Sequence, residues 1–412
     1  MFAPTLNQQM DEIRRGAVEI IPESELERKL ERSIRTGEPL RVKQGFDPTR
    51  PDLHIGHVVS IRKLRVFQEL GHEVIFVVGD VTARVGDPSG RSETRPRLSA
   101  EEIAANARSY ADQVARILDI HRVRVAYNSS WLEPLGLGGV LELTSTYTLA
   151  RMLEREDFAT RFAEGRPISV LELLYPLLQA YDSVALRADV ELGGTDQKFN
   201  LLVGRTVQER YGQEPQVCLI MPLLRGTDGE QKMSKSYANY IGITEPPEEQ
   251  FGKTMSIPDS LLDEWLVLAS GLSGEELERA RVCASHDPYA IKRLLGRRIV
   301  ERYHGQDAAA RAERHFDRLF RDRVQPDDIP ELTLRRADFG ITASGGGPPL
   351  VRVLIAAGLA ASNSEAARLI EQGAIALNGE RVQDRHMPFP VDAPTAVLRR
   401  GKRQFVRVRF ED

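Results

Sequence analysis

The chain has 412 residues, 41% of them hydrophobic and 28% charged, an ordinary balance for a soluble globular protein that excludes a disordered tract, a collagen-like fibre and a disulfide-stapled miniprotein. At roughly 100–200 residues per domain, this length implies two to four domains. With 56 Lys and Arg against 60 Asp and Glu the net charge is −4, so any nucleic acid must be met by a local basic patch rather than by bulk charge.

The two cysteines, Cys218 and Cys283, are far apart and have no CxxC partner. This excludes a Cys-based zinc site and fits a reducing compartment. The N-terminal MFAPTLNQQMDEIRRG carries no apolar run with a cleavage site, and no stretch of about 20 apolar residues is present. A cytoplasmic location, with no membrane partner, is therefore expected.

In chain order, residues 1–38 read as polar helix, with an apolar stripe through Leu26 and Leu30. RVKQGFD (41–47) reads as a short strand, 54–70 as a helix closed by Gly71, and EVIFVVGD (73–80) as a buried parallel strand. Residues 99–120 read as a long helix, and 144–182 as mostly helical with a break at 165–167. DVELGGTDQ (189–197) is a strand entering a Gly-Gly loop, and QVCLIMPLL (216–224) is another buried strand. Strands alternating with helices predict an α/β, Rossmann-like doubly wound parallel sheet.

These readings give a Rossmann-like α/β domain over 1–245, with an N-terminal helical segment and a helical insertion. An all-α domain follows over 246–330 and a Pro/Gly-rich linker over 331–349. The last stretch, 350–412, reads as a small α+β unit with a turn at Asn378-Gly379. From residue 345 onward ten Lys and Arg face seven Asp and Glu. The segment LRRGKRQFVRVR brings together Arg399, Arg400, Lys402, Arg403, Arg407 and Arg409 without an acid. Taken alone, it fits a charge-protected edge strand and a phosphate-binding surface about equally.

Two constellations carry chemistry. DPTRPDLHIGH (47–57) places His54 and His57 three residues apart at a helix start, where both rings face one side and free N–H groups favour a phosphate. Gly56 between them lets an adenine or ribose approach the backbone. KMSKS (232–236) places two ammonium groups in a loop suited to a pyrophosphate leaving group, with Gly226 and Gly229 supplying mobility. Alone, the first motif also fits a capped helix with two surface histidines, and the second an exposed basic turn. In this order, 175 residues apart, they are far more specific.

The pairing resembles the class I aminoacyl-tRNA synthetases. GDPSGRS (86–92), YPLLQAYD (175–182), GGTDQKFN (193–200) and MPLL (221–224) resemble the bacterial tyrosyl-tRNA synthetases of the KMSKS-carrying branch. The tail SNSEAARLIEQGAIALNGERV (362–382) is similar to an S4 RNA-binding domain. The resemblance spans essentially the whole chain. It implies tyrosine activation by ATP with release of pyrophosphate, then transfer of tyrosine to the 3′ end of tRNA(Tyr), by a homodimer. No tightly bound cofactor and no protein metal site are implied, only ATP as substrate with Mg2+. The tyrosine carboxylate attacks the α-phosphate already ionised, so no protein nucleophile is needed and catalysis rests on positioning and charge.

On matched positions the resemblance gives His54, His57 and Thr49 to the phosphates, and Lys232 and Lys235 to the pyrophosphate with Ser236 nearby. It gives Gly56 to the adenosine and Asp196 to the ribose. Asp87, Tyr175 and Gln179 fall to the tyrosine ammonium, Gln197 to its carboxylate end and Asp182 to its phenol. Arg91 and Arg95 would contact the pyrophosphate or its loop, while Arg399, Arg400, Lys402 and Arg403 would contact tRNA. Asp87 and Asp182 also fit plainer roles, a turn cap for the first and a cap or a pair with Arg187 for the second. One position departs from the pattern. Many relatives carry a phenol-binding tyrosine two residues before the glycine of this GFDPT segment, and here it is Lys43, which is left open between the phenol, Asp182 and another partner. Two other readings remain open from sequence: a synthetase for another aromatic amino acid, and a catalytically silent RNA-binding relative.

Overall fold

The computed structural model describes residues 4–49, 52–88, 99–320, 329–340, 347–391, 393, 395–401 and 404–411. The chain divides into two compact units, Met1–Ala310 and Arg311–Asp412.

The first unit is built on a six-stranded sheet of β1 (Glu19–Ile21), β2 (Arg41–Phe46), β3 (Glu73–Val78), β4 (Val123–Tyr127), β5 (Val190–Gly194) and β6 (Val217–Met221), in the order β1-β6-β5-β2-β3-β4. All neighbours are parallel except the antiparallel pair β1 and β6. The chain runs outward from β2 through β3 to β4, then returns to the other side of β2 with β5 and β6. The switch point thus falls between β2 and β5, and a ligand crevice is expected beyond their carboxyl ends. The doubly wound sheet is as expected from the sequence. The edge strands β1 and β4 are additions to that reading. β1 is three residues long inside the stretch read as helix, and β4 (VRVAY) is interrupted by Arg124 and mostly not buried, so neither produces a buried-strand signal.

Alternation along the strands sorts their side chains onto two faces. Val42, Phe46, Val74, Phe76, Val78, Val190, Leu192, Leu219 and Met221 share one core with the helix Ile55–Glu69 and with Trp265, Leu266, Ile291 and Leu295 of the helical region that follows the sheet. The described part of 247–310 is helical, as expected, and shares this core. On the opposite face Ile75 and Val77 pack with Leu186, and Cys218 and Ile220 pack with Leu201. Lys43 and Glu191 have the parity of this second face.

The helix Ile55–Glu69 is anchored through Lys63, a buried residue whose Nζ donates to the carbonyls of Glu12 (2.8 Å), Ile13 (2.9 Å) and Arg15 (2.6 Å). These carbonyls end the helix Leu6–Arg14 and would otherwise lack partners. Burial lowers the Lys63 pKa to about 8.

In the second unit a five-stranded sheet of β7 (Glu331–Arg335), β8 (Ile375–Leu377), β9 (Glu380–Arg381), β10 (Ala396–Arg400) and β11 (Gln404–Glu411) runs in the order β7-β11-β10-β8-β9. With the helices Leu350–Ala356 and Asn363–Glu371 it forms the expected α+β unit around Leu350, Leu354, Ile370 and Leu398. The turn at Asn378-Gly379 is present, with φ of +50° and +91°. The stretch 331–349 is not purely a linker. Its first residues form β7, which pairs in parallel with β11. The alternation in ELTLR is short and lies among prolines and acids, and so reads as loop.

Candidate active site

A cavity of about 530 Å³ opens at the carboxyl ends of β2 and β5. This lies within the range of small-ligand sites. Thr49, His54, Gly56, His57, Asp87, Tyr175, Gln179, Asp182, Asp196, Gln197, Lys232, Lys235 and Ser236 all line it. These thirteen residues, drawn from five separated segments, thus meet in one place.

One wall is the start of the helix Ile55–Glu69. The His54 and His57 rings stack with centroids 3.7 Å apart. The His54 backbone N–H donates to His57 Nδ1 at 3.3 Å, so a neutral His57 carries its proton on Nε2. Burial, and secondarily the Lys235 and Lys232 charges, lower the His57 pKa to about 3. Burial and then His57 hold His54 well below the usual imidazole range. Both rings are therefore neutral hydrogen-bonding groups at pH 7. A Cβ at Gly56 would lie 3.0 Å from His54 Nδ1, so the glycine admits the ring.

KMSKS, residues 232–236, lines the cavity along its whole length. Lys232 Nζ lies 2.6 Å from Asp196 Oδ2, and Lys235 Nζ donates to the Asp52 carbonyl. Met233 N–H donates to the Leu224 carbonyl at 2.8 Å, which ties the loop to the end of the strand β6 segment. Its organiser is Asn239, 2% exposed. The Asn239 Nδ2 donates to Asp228 Oδ2 (2.8 Å) and to the Lys232 carbonyl (3.2 Å), and Oδ1 accepts from Ser234 N–H (2.8 Å). This revises the expected part of the glycines. A Cβ at Gly226 would lie 2.2 Å from Asn239 Cγ, so Gly226 makes room for the clamp, and Gly229 (φ +82°) turns the chain.

The deep end is polar and buried. Asp182, on the helix Val170–Leu186, accepts from Trp131 Nε1 at 2.8 Å. Burial raises its pKa to about 7, opposed by the Lys43 charge and the Trp131 hydrogen bond. Its partner is Trp131 rather than Arg187. Tyr175 donates its hydroxyl to Asp47 Oδ2 at 3.0 Å. Burial, then Asp47 and Asp87, hold that hydroxyl well above the usual phenol range. Asp47 also accepts from Thr82 Oγ1 at 2.7 Å, and a Cβ at Gly79 would collide with both. Gln197 Nε2 donates to Asp87 Oδ2 at 2.6 Å. Lys43 forms its ion pair with Glu191, at 2.9 Å.

Asp47, Thr82, Trp131, Glu191, Asn200 and Asn239 are the residues that sequence reasoning passed over. A signal existed for Lys43 and Glu191: each is a charge in an otherwise buried strand. The other five are ordinary polar or aromatic residues, and nothing in their local sequence singles out the partners they meet.

Arg399 and Arg400 lie on β10 of the second unit. Arg400 is engaged within that unit, donating to the Leu359 carbonyl (2.8 Å) and to Glu365 Oε1 (3.1 Å). Lys402, Arg403, Arg91 and Arg95 lie outside the described residues.

Comparison with known proteins gives the same direction. Residues 35–321 match the family of class I tRNA synthetases (W and Y), and 328–408 match the C-terminal domain of tyrosine–tRNA ligases of the SYY-like type. The chain is 54% identical over 405 residues to a tyrosine–tRNA ligase of Geobacter sulfurreducens, covering 98% of each. It is 49% identical over 409 residues to that of Aquifex aeolicus, covering 98% of this chain and 99% of the other. Among solved structures, the tyrosyl-tRNA synthetase of Archaeoglobus fulgidus complexed with L-tyrosine aligns with a TM-score of 0.58 at 25% identity, over 75% of this chain and 100% of that one.

Proposed function

The chain belongs to the class I tyrosine–tRNA ligases, and on that premise we propose how its cavity performs the reaction. Tyrosine and ATP form tyrosyl-adenylate and pyrophosphate, and the tyrosyl group then passes to the 3′ end of tRNA(Tyr). The observation that carries this reading is the convergence of both nucleotide motifs and the Tyr175–Gln179–Asp182 set on one cavity.

Tyrosine enters phenol first, and its O–H donates to Asp182. A site built to give that proton an acceptor loses one hydrogen bond to a buried carboxylate when phenylalanine binds. The ammonium lies among Asp87, Tyr175 and Gln179, and Gln197 meets the carboxylate end. That carboxylate attacks the α-phosphate directly. His54 and His57, neutral and at a helix N-terminus, donate to the phosphate oxygens as charge builds, with Thr49 beside them. Gly56 lets the adenosine approach the helix start. Asp196 exchanges its Lys232 partner for the ribose hydroxyls, which frees Lys232 to join Lys235 on the pyrophosphate, with Ser236 nearby. Mg2+ enters with ATP as part of the substrate.

For tRNA, the helical region and the second unit are the proposed contacts, with Arg399 and the exposed Arg409 on its sheet. A second copy of the chain is proposed to cover the apolar residues exposed on the helices between β4 and β5: Leu137 (75%), Phe162 (67%) and Val170 (75%). Among the described residues no helix is long and apolar enough to cross a membrane, and a cytoplasmic location completes the proposal.

ATP–pyrophosphate exchange across tyrosine, phenylalanine, tryptophan and no amino acid tests it. Exchange with tyrosine alone is expected. Exchange with tryptophan would move the assignment to the sister enzyme, and no exchange from folded protein would favour an RNA-binding relative without catalysis.

A further inference from the structure

Lys43 and Glu191 stand in register on neighbouring strands β2 and β5, Nζ 2.9 Å from Oε1, each side chain 1% exposed. A buried ion pair of this kind is on average no better for stability than two apolar residues of equal volume. Its value here lies in what it organises. Glu191 Oε1 also accepts from Gln179 Nε2 at 3.0 Å, while Oε2 accepts from Ser183 Oγ at 3.3 Å and from Gln216 Nε2.

A carboxylate only accepts, so the Gln179 amide must turn its nitrogen toward Glu191. Its oxygen is then the end left for other donors, and Asn200 Nδ2 donates to it at 3.0 Å. The same Asn200 nitrogen lies 3.2 Å from Gln197 Oε1, and Gln197 Nε2 donates to Asp87. The polarity of this row is set from both ends by an anion. Lys43 supplies the counter-charge that the buried Glu191 needs, and its Nζ also meets the Gln179 carbonyl at 3.4 Å.

We propose that the buried Lys43–Glu191 pair is the positioning element that fixes the amide of Gln179 with its oxygen as the acceptor for the substrate ammonium, and so makes the amino-acid site selective for an α-ammonium group. The proposal rests on the tyrosine site assigned above and adds Lys43 and Glu191 to it. Neither residue is among those that line the cavity.

The test uses the full-length protein and its E191Q, K43M and K43M/E191Q variants. Tyrosine KM, ATP KM and kcat are read in pyrophosphate exchange. Thermal midpoints and competitive inhibition by 3-(4-hydroxyphenyl)propionate, which lacks the ammonium, are read alongside. A glutamine at 191 offers donor and acceptor alike, so the Gln179 amide loses its imposed polarity. E191Q is expected to raise tyrosine KM about tenfold, the scale of one hydrogen bond to a charged group, with ATP KM and the inhibition constant of the analogue unchanged. The neutral double variant K43M/E191Q is expected to regain the thermal midpoint but not the tyrosine KM, and it stands in for the single variants should these not fold. Recovery of both by the double variant would make the pair structural only and overturn the proposal, as would equal weakening of tyrosine and the analogue. Q179A separates the two levels: an unchanged tyrosine KM in Q179A sinks the underlying site assignment, whereas a raised KM in Q179A with none in E191Q sinks this proposal alone.

Discussion

The indole Nε1 of Trp131 donates to Asp182 Oδ1 at 2.8 Å and joins the short helix Ser129–Leu132 after β4 to the long helix Val170–Leu186. The bond holds a buried carboxylate in place in the cavity, at the position proposed for the phenol hydroxyl. It also favours the ionised form, as does Lys43, although burial outweighs both and leaves the pKa at about 7.

Asp182→Ala removes the acceptor. We expect the ratio of kcat/KM for tyrosine over phenylalanine in pyrophosphate exchange to fall by about 10–100-fold, the scale of a hydrogen bond to a charged group. An unchanged ratio would sink the assignment of Asp182 to the phenol.

The pH dependence follows from the same residue. The accepting form is the carboxylate, so kcat/KM for tyrosine should rise with pH through about 7 and level off above it. For stability the sign is the reverse of the usual carboxylate. The folded state holds this proton more firmly than the unfolded chain, so the Asp182 contribution falls as pH rises from about 4 toward 7 and is flat above. Comparing urea midpoints of the native protein and Asp182→Asn across that range checks the slope, which the variant should lack.

His57 has a pKa of about 3 and presents Nε2–H as a donor. His57→Ala should lower kcat for pyrophosphate exchange by about 100-fold while tyrosine KM stays within a factor of about two, as for loss of one transition-state donor. No limb of the kcat profile between pH 5 and pH 9 should disappear in the variant. A limb that does would mean the ring titrates in that range.

Lys63 donates to three carbonyls at the end of the helix Leu6–Arg14. Lys63→Met leaves them without that donor and should cost about 3 kcal/mol of unfolding free energy in urea. A loss below about 1 kcal/mol would mean that water replaces the ammonium.

Removing residues 321–412, most of the second unit, should spare adenylate formation and abolish tRNA charging. The cut belongs after Phe320, because a cut at 345 strips β7 of its partner β11. Normal charging by the 1–320 protein would remove that unit from the tRNA contacts.

Much of the fold was legible because strands such as EVIFVV and VCLIM are continuous apolar runs, which only a sheet covered on both faces produces. β1, β4 and β7 were not legible, being short edge strands or strands with exposed alternate side chains. Within the site, His54, His57, Lys232 and Lys235 announced themselves through short local motifs. Asn239 did not: an asparagine near a basic loop is unremarkable until its partners Asp228, Gln231, Lys232 and Ser234 are seen.

The sequence by itself determined the residue types, their order and the local turns that carry them, since phosphate and pyrophosphate chemistry asks for donors and ammonium groups at fixed short spacings. What only the tertiary structure decided was pairing across distance. Lys43 and Glu191 are separated by 148 positions, and three partners were open to Lys43 from sequence. The registry of β2 against β5 selects one, because it sets a buried ammonium and a buried carboxylate on the same side of adjacent strands, 2.9 Å apart, where each supplies the other's counter-charge.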